Sequence, residues 1–240
     1  MGKQQRICIL DIGNSNVQIY CTGGGFPPDL KQIPTSQFSL DLIPRDLPAA
    51  AASVVPFWNE PLKQLGVFLI DRDTPMDLDL SLMDTSTLGL DRIANAAQLA
   101  ADPEHLPALC IDCGTAIDAE IVNENRSFIG GVIMPGRLLM RRSLNLYTAQ
   151  LPEIPFFQDL PDFPPNHTRG ALQFGVDEVL LHGVEHLIDK TRQLFPGKEL
   201  RIVLCGGDRS FFLQNLSTQA EDGGNDFTLR GIESIFRKNL

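Results

Sequence analysis

No apolar run in this 240-residue sequence approaches the ~18 residues that a membrane-crossing helix needs. The apolar patch Ile7–Leu10 near the N-terminus is stopped by Asp11. The expectation is a cytoplasmic protein without a membrane partner. Basic side chains are also in deficit: 20 Lys and Arg face 30 Asp and Glu, for a formal net charge of −10. A molecule of that sign repels nucleic acid and anionic lipid at long range, so neither is an expected partner. The deficit does not exclude a phosphate-bearing ligand, because glycine amides, helix N-termini and metal ions supply positive potential locally. Cysteines are few and odd in number (Cys8, Cys21, Cys110, Cys113 and Cys205), with no second paired spacing. That pattern argues against a disulfide framework or a zinc ribbon. Cys110 and Cys113 form a CxxC, but in an apolar strand residues three apart point to opposite faces. Among four histidines, His182 and His186 have the i, i+4 spacing of a helical metal pair, without a companion ligand pattern.

Hydrophobic residues make up 43% and charged residues 21%, the proportions of a folded chain long enough for two small lobes. Two segments read alike, Ile7–Tyr20 (ICILDIGNSNVQIY) and Cys110–Val122 (CIDCGTAIDAEIV). Each is an apolar strand, then Asp-x-Gly with a small polar residue, then a second strand. Their aspartates, Asp11 and Asp112, lie 112 − 11 = 101 positions apart, which suggests a duplicated lobe. A third strand followed by a double glycine, Ile202–Asp208, comes after the second copy. Helical periodicity is expected from near Asp91 and from about Ala171 to Lys190. Phe26–Pro48 reads as turns, Leu151–Asn166 with its five prolines as a connection, and Phe227–Leu240 as a strand followed by a short helix. Strands alternating with helices point to α/β lobes with a ligand cleft between them.

The residues that could carry chemistry admit more than one reading. In Asp11-Ile12-Gly13-Asn14-Ser15-Asn16 a glycine able to take φ > 0 would let backbone N–H groups approach a phosphate, with Asp11 on Mg²⁺; the alternative is an ordinary hairpin turn. The repeat of the design in Asp112-Cys113-Gly114-Thr115-Ala116 favours the phosphate reading. Cys205-Gly206-Gly207-Asp208 either leaves room for adenine and ribose or is a simple strand-to-helix turn. Asp91, in Gly89-Leu90-Asp91-Arg92, is either a helix cap or a carboxylate that accepts an alcohol proton, with Arg92 beside it to bind an anion. Gly130–Gly136 suggests close backbone approach, and Arg137, Arg141 and Arg142 form a basic cluster that is either a solvated helix face or a phosphate contact.

Taken in order, these motifs resemble the type III pantothenate kinases. The similarity runs through Asp11-x-Gly13-Asn14-Ser15, Ser53-Val54-Val55-Pro56, Gly89-x-Asp91-Arg92, Asp112-x-Gly114-Thr115-Ala116, Gly130-Gly131-x-Ile133-x-Pro135-Gly136, Thr148–Pro152, Thr168 with Ala171 and Gly175, and Gly206-Gly207. The resemblance implies two actin-like (ribonuclease H-like) lobes, here 1–105 and 106–240, and a homodimer. It also implies ATP as donor, pantothenate as acceptor, Mg²⁺, and a monovalent cation, K⁺ or NH₄⁺. Carried over by residue, Asp91 is the proton acceptor, and Gly89, Leu90, Asp91, Arg92 and Thr168 bind pantothenate. Asp11, Ile12, Gly13, Asn14, Ser15, Asn16, Val17, Gln18, Thr115, Gly206 and Gly207 bind ATP. Asp112 holds the monovalent cation and Asp11 the Mg²⁺. The chain departs from the family pattern at Asp118 and Glu120, where a threonine and an aspartate are usual, and at Leu82 and Met83, where a tyrosine is often found. A phosphatase or a nucleotide-sensing protein on the same fold is the alternative function.

Overall fold

The computed structural model describes residues 5–240. It divides into two compact units, described in turn. Unit 1 comprises residues up to Glu104 together with Asn125–Phe128 and Asp226–Leu240; unit 2 comprises His105–Glu124 and Ile129–Asn225.

Unit 1 is built on a five-stranded sheet of order β3-β2-β1-β4-β5, from β1 (Ile7–Ile12), β2 (Asn16–Thr22), β3 (Asp29–Pro34), β4 (Ala49–Ser53) and β5 (Phe68–Leu69). β1 pairs antiparallel with β2 and parallel with β4. Its near-continuous apolar run is the pattern of a central strand buried on both faces. One face packs Cys8, Leu10, Ile12, Val17, Ile19, Phe38 and Leu62 into a core, with Leu62 supplied by α1 (Asn59–Gln64). The other face meets α6 (Phe227–Lys238), which also packs on α2 (Leu90–Ala100). At that crossing a Cβ on Gly231 would overlap the carbonyl of Ala94, so α2 and α6 touch backbone to backbone.

Two expectations fail in unit 1. Phe26–Pro48 is not all turns: β3 lies within it as an edge strand on β2. Its side chains, Lys31 among them, are mostly exposed, so there is no apolar alternation to betray it. Phe227–Leu240 holds no strand; it is helix α6 from Phe227, and it buries Phe227, Gly231, Ile232, Ile235 and Phe236 at helical spacing.

Unit 2 repeats the plan with order β10-β9-β6-β7-β8, from β6 (Ala108–Cys113), β7 (Ala116–Val122), β8 (Phe128–Pro135, entering the unit at Ile129), β9 (Arg201–Cys205) and β10 (Glu221–Asp222). β6 pairs antiparallel with β7 and parallel with β9, as β1 does with β2 and β4. Asp11 lies opposite Gln18 and Ala52; Asp112 lies opposite Asp118 and Cys205. Strand for strand, this is one actin-like lobe used twice, in an α/β fold. One face of the second sheet buries Leu109, Ile111, Cys113, Ile117, Ala119 and Ile121 with Val176, Leu180, Val184 and Ile188 of α4 (Thr168–Gln193). α3 (Arg137–Leu146) and α5 (Arg209–Asn215) complete the unit. Among the described residues no helix is long and apolar enough to cross a membrane, and all five cysteines are free and buried.

Candidate functional site

In unit 1, Asp11 is half-buried near the end of β1, and Gly13, Asn14 and Ser15 form the turn into β2, with Asn14 and Ser15 exposed. The turn is closed by the Gly13 amide donating to the Asn16 carbonyl at 3.0 Å, by the Thr35 hydroxyl donating to the Gly13 carbonyl at 2.7 Å, and by the Thr35 amide donating to the Ser15 carbonyl at 3.0 Å. Gly13 is not among the residues with positive φ. Its lack of a side chain matters instead because a Cβ would sit 3.1 Å from the Asn16 carbonyl oxygen. Ile12 and Val17 are wholly buried, main chain included, so neither presents a group to a ligand at this turn. Gln18 lies beside Gln32, whose carbonyl oxygen accepts from its amide at 3.4 Å.

Gly89, extended at φ −65°, is the N-cap of α2, which makes Leu90 and Asp91 the first two helical residues. Gly89 itself holds the cap position, and Asp91 stands inside the first turn. Its carboxylate folds back over the space a Gly89 Cβ would need, and its Oδ1 accepts the Arg92 amide at 2.8 Å. Negative charge is favoured at this helix start. Upstream, Arg72 Nε donates to the Leu88 carbonyl at 3.1 Å and holds the approach to Gly89. The Arg92 guanidinium lies 5.8 Å from the ring centre of the buried Phe128.

In unit 2 three glycines gather around the second hairpin. Gly114 donates to the Ala116 carbonyl at 2.9 Å, which leaves Thr115 exposed at the tip. Gly136, leading α3, donates to the Thr115 carbonyl at 3.0 Å, and a Cβ there would lie 2.6 Å from that oxygen. Gly206, at φ +84°, presses on Asp112: a Cβ would strike the Asp112 carboxylate and come within 2.6 Å of the Cys113 carbonyl. The structure thus brings Asp112, Thr115 and Gly206 together, with Gly207 exposed beside them. Asp118 faces Asp112 across the ladder at the hairpin end, whereas Glu120 lies opposite Cys110, further down the strand and fully buried. Burial pushes the Cys110 thiol well above its ordinary range and leaves it unreactive.

Arg137 and Arg141 correct both readings of the basic cluster, for neither is a solvated face nor a phosphate contact. Arg137 is fully buried, donates to both oxygens of Asp177 at 2.9 and 3.1 Å and to Asp208 at 2.8 Å, and stacks on Phe211. Arg141 donates to the same Asp177 carboxylate at 2.7 and 2.9 Å. Burial raises the Asp208 carboxyl above its ordinary range, with Arg137 opposing that shift. The network ties α3 and the Gly206–Asp208 turn to α4, whose first residue is the exposed Thr168. Removing Asp177 would leave two buried cations short of a partner, a change worth about 3–5 kcal/mol. Arg142 alone is exposed, 3.6 Å from Glu153.

The sequence reading missed this network because Arg137 and Asp177 are 40 positions apart and belong to no motif. It also missed His167, whose Nδ1 caps α4 by accepting the Gly170 amide at 2.9 Å; a His-x-x-Gly before a helix was the available signal. His182 is a surface residue between Glu178 and Glu185. No group of three or more His, Cys, Asp or Glu able to hold a metal occurs among the described residues.

Comparison with known proteins bears on this arrangement directly. The type III pantothenate kinase family model matches residues 45–190. The type III pantothenate kinase of Methylacidiphilum infernorum is 31% identical over 242 residues, covering 95% of this chain and 86% of that protein. That of Gloeobacter violaceus is 38% identical over 122 residues, covering 51% of this chain, so the match spans about half that relative's length (52%). The crystal structure of a conserved Baf family protein from Campylobacter jejuni has the same fold, with a TM-score of 0.69 at 23% identity over 97% of this chain and 98% of that one. The chain belongs to the type III pantothenate kinase family.

Proposed function

We propose that this chain transfers the terminal phosphoryl group of ATP to the primary hydroxyl of pantothenate, giving 4′-phosphopantothenate and ADP, the first step of coenzyme A biosynthesis. The observation that carries the proposal is the Asp-x-Gly hairpin found at the same topological position of both sheets, in a chain whose Gly-x-Asp-Arg segment leads a helix. Phosphoryl transfer asks a protein for positioning and charge neutralisation more than for covalent chemistry, and polar hairpin turns offer both. Gly13 keeps the turn open to close approach, Asn14, Ser15 and Asn16 take phosphate oxygens with exposed polar groups, and Thr115 does so with its exposed hydroxyl. Gly206 and Gly207 receive the adenosine. Gly89, Leu90, Arg92 and Thr168 hold pantothenate, with the Arg92 fork on its carboxylate. Asp91 orients the attacking hydroxyl and accepts its proton, a contribution of about 10²–10⁴ in rate.

Asp11 suits Mg²⁺ and Asp112 suits K⁺ or NH₄⁺, since hard cations take carboxylate oxygens and leave room for phosphate and water. When bound, such cations offset the negative charge of the triphosphate. Self-association as a homodimer is supported by the exposed apolar side chains of β8, of α3 and of the residue that ends it, namely Ile133, Leu139, Leu146 and Tyr147. Light scattering on the purified chain should give twice 26.5 kDa.

The test is ADP release measured with and without pantothenate, in K⁺ and in Na⁺ at equal ionic strength. Release that requires pantothenate and rises in K⁺ supports the proposal. ATP loss without pantothenate would mark a phosphohydrolase, and ATP binding without turnover a nucleotide sensor.

A further inference from the structure

We infer that Arg209 is a nucleotide-positioning residue, bracing the Gly206–Gly207 turn in the shape that receives adenosine without itself touching the reacting atoms. The inference rests on the proposed assignment of that turn to ATP.

Two adjacent glycines leave the space for a ligand open, but they also give the backbone more freedom than any other pair, and ordering them costs more. Gly207 has nothing within 4 Å of where a Cβ would stand, so no neighbouring side chain fixes it by packing. The turn is instead held from two sides. On one, the Asp208 amide donates to the Cys113 carbonyl at 2.9 Å. On the other, Arg209 Nη1 donates to the Gly206 carbonyl at 3.0 Å and to Asn225 Oδ1 at 2.6 Å, while Nε donates to Asp222 Oδ1 at 2.6 Å.

The far end of this brace is itself anchored. Asp222 lies in β10, paired with Leu204, its Oδ1 accepts the Gly224 amide at 2.8 Å, and the Gly223 amide donates to the Leu204 carbonyl at 2.8 Å. The hydrogen bond from Arg209 is the main cause holding the Asp222 carboxyl below its ordinary range. With Asp222 on its Nε and only 14% of its side chain exposed, Arg209 has its charge already matched. That makes it a poor phosphate ligand and a good strut.

The test compares Arg209→Met, Arg209→Lys and Gly207→Val, reading kcat, the KM for each substrate, ATP affinity by calorimetry, and Tm. Arg209→Met should raise the ATP KM and Kd about tenfold, the scale of a lost charge-assisted hydrogen bond, with kcat and the pantothenate KM within about twofold. Arg209→Lys should recover part of the loss, because an ammonium can reach one acceptor but not the forked set. Gly207→Val, which fills the open space, should weaken ATP at least as much. If Gly207→Val weakens ATP and Arg209→Met does not, the brace is wrong and the adenosine assignment stands. If Gly207→Val leaves ATP binding unchanged, the assignment itself fails. Parallel losses in kcat, both KM values and Tm for Arg209→Met would reduce Arg209 to general structural support and overturn the inference.

Discussion

In unit 1 β4, the strand parallel to β1, ends at Ser53 and runs into Val54, where the Ser53 hydroxyl accepts the Val55 amide at 3.2 Å and the Val54 amide donates to the Ile12 carbonyl at 3.0 Å. In unit 2 the matching strand ends at Cys205 and runs into Gly206-Gly207, and the bond equivalent to the second of these, to the Cys113 carbonyl, comes one residue later, from Asp208. The extra residue is Gly206, whose left-handed backbone makes the detour. Repetition of a lobe therefore supplies two phosphate-type hairpins but only one open, side-chain-free turn beside them. Under the proposed function, the second unit would receive the nucleoside at this open turn, while the first closes its turn with the Ser53 side chain and would present Asp11 and Asp91.

The sharpest way to break this asymmetry is Gly206→Ala. A methyl group there meets the Asp112 carboxylate and the Cys113 carbonyl at a φ of +84°. The expected result is loss of measurable ATP binding by calorimetry and a stability loss of about 1–3 kcal/mol in denaturant titration. Asp112→Asn should come next, with the K⁺-over-Na⁺ response of the initial rate abolished while Tm stays near that of the unaltered chain. Arg92→Ala should raise the pantothenate KM about tenfold or more with the ATP KM little changed, as for loss of a forked contact used in ground and transition states alike. A shift confined to ATP would reassign Arg92. The smallest effect belongs to Ser53→Ala, which removes the two turn hydrogen bonds between the Ser53 hydroxyl and the Val55 main chain for about 1–2 kcal/mol by thermal melting and leaves ATP affinity unchanged.

Much of this plan was legible in the sequence because it is carried by short-range pattern. β1 and β6 are apolar runs that end at an aspartate, and the equal order of the motifs disclosed the duplication that the two strand orders display. β3 was illegible because an exposed edge strand has no buried face to impose alternation. α6 was misread at its start because Phe227-Thr228-Leu229 is locally strand-like, whereas its packing on α2 is a long-range fact. At the candidate site the glycines were read from motif, and the close backbone approach expected of Gly130–Gly136 is what Gly136 shows, but the reason for Gly13 was not read. Gly13 lacks a side chain to allow close carbonyl approach rather than to take a positive φ. The buried Arg137–Asp177–Arg141 network and the Arg209 brace had no signal in the sequence, since a basic residue paired by folding looks the same as one left in water.

Under the proposed function Asp91 is the proton acceptor at the head of α2, and the most direct test is single-turnover phosphorylation of pantothenate by Asp91→Asn, with ATP affinity and Tm measured on the same preparation. Asparagine keeps the shape and can still accept the Arg92 amide, but it cannot take a proton. The rate should fall at least about a hundredfold, with ATP affinity and Tm unchanged. A turnover rate equal to that of the unaltered chain would contradict the account.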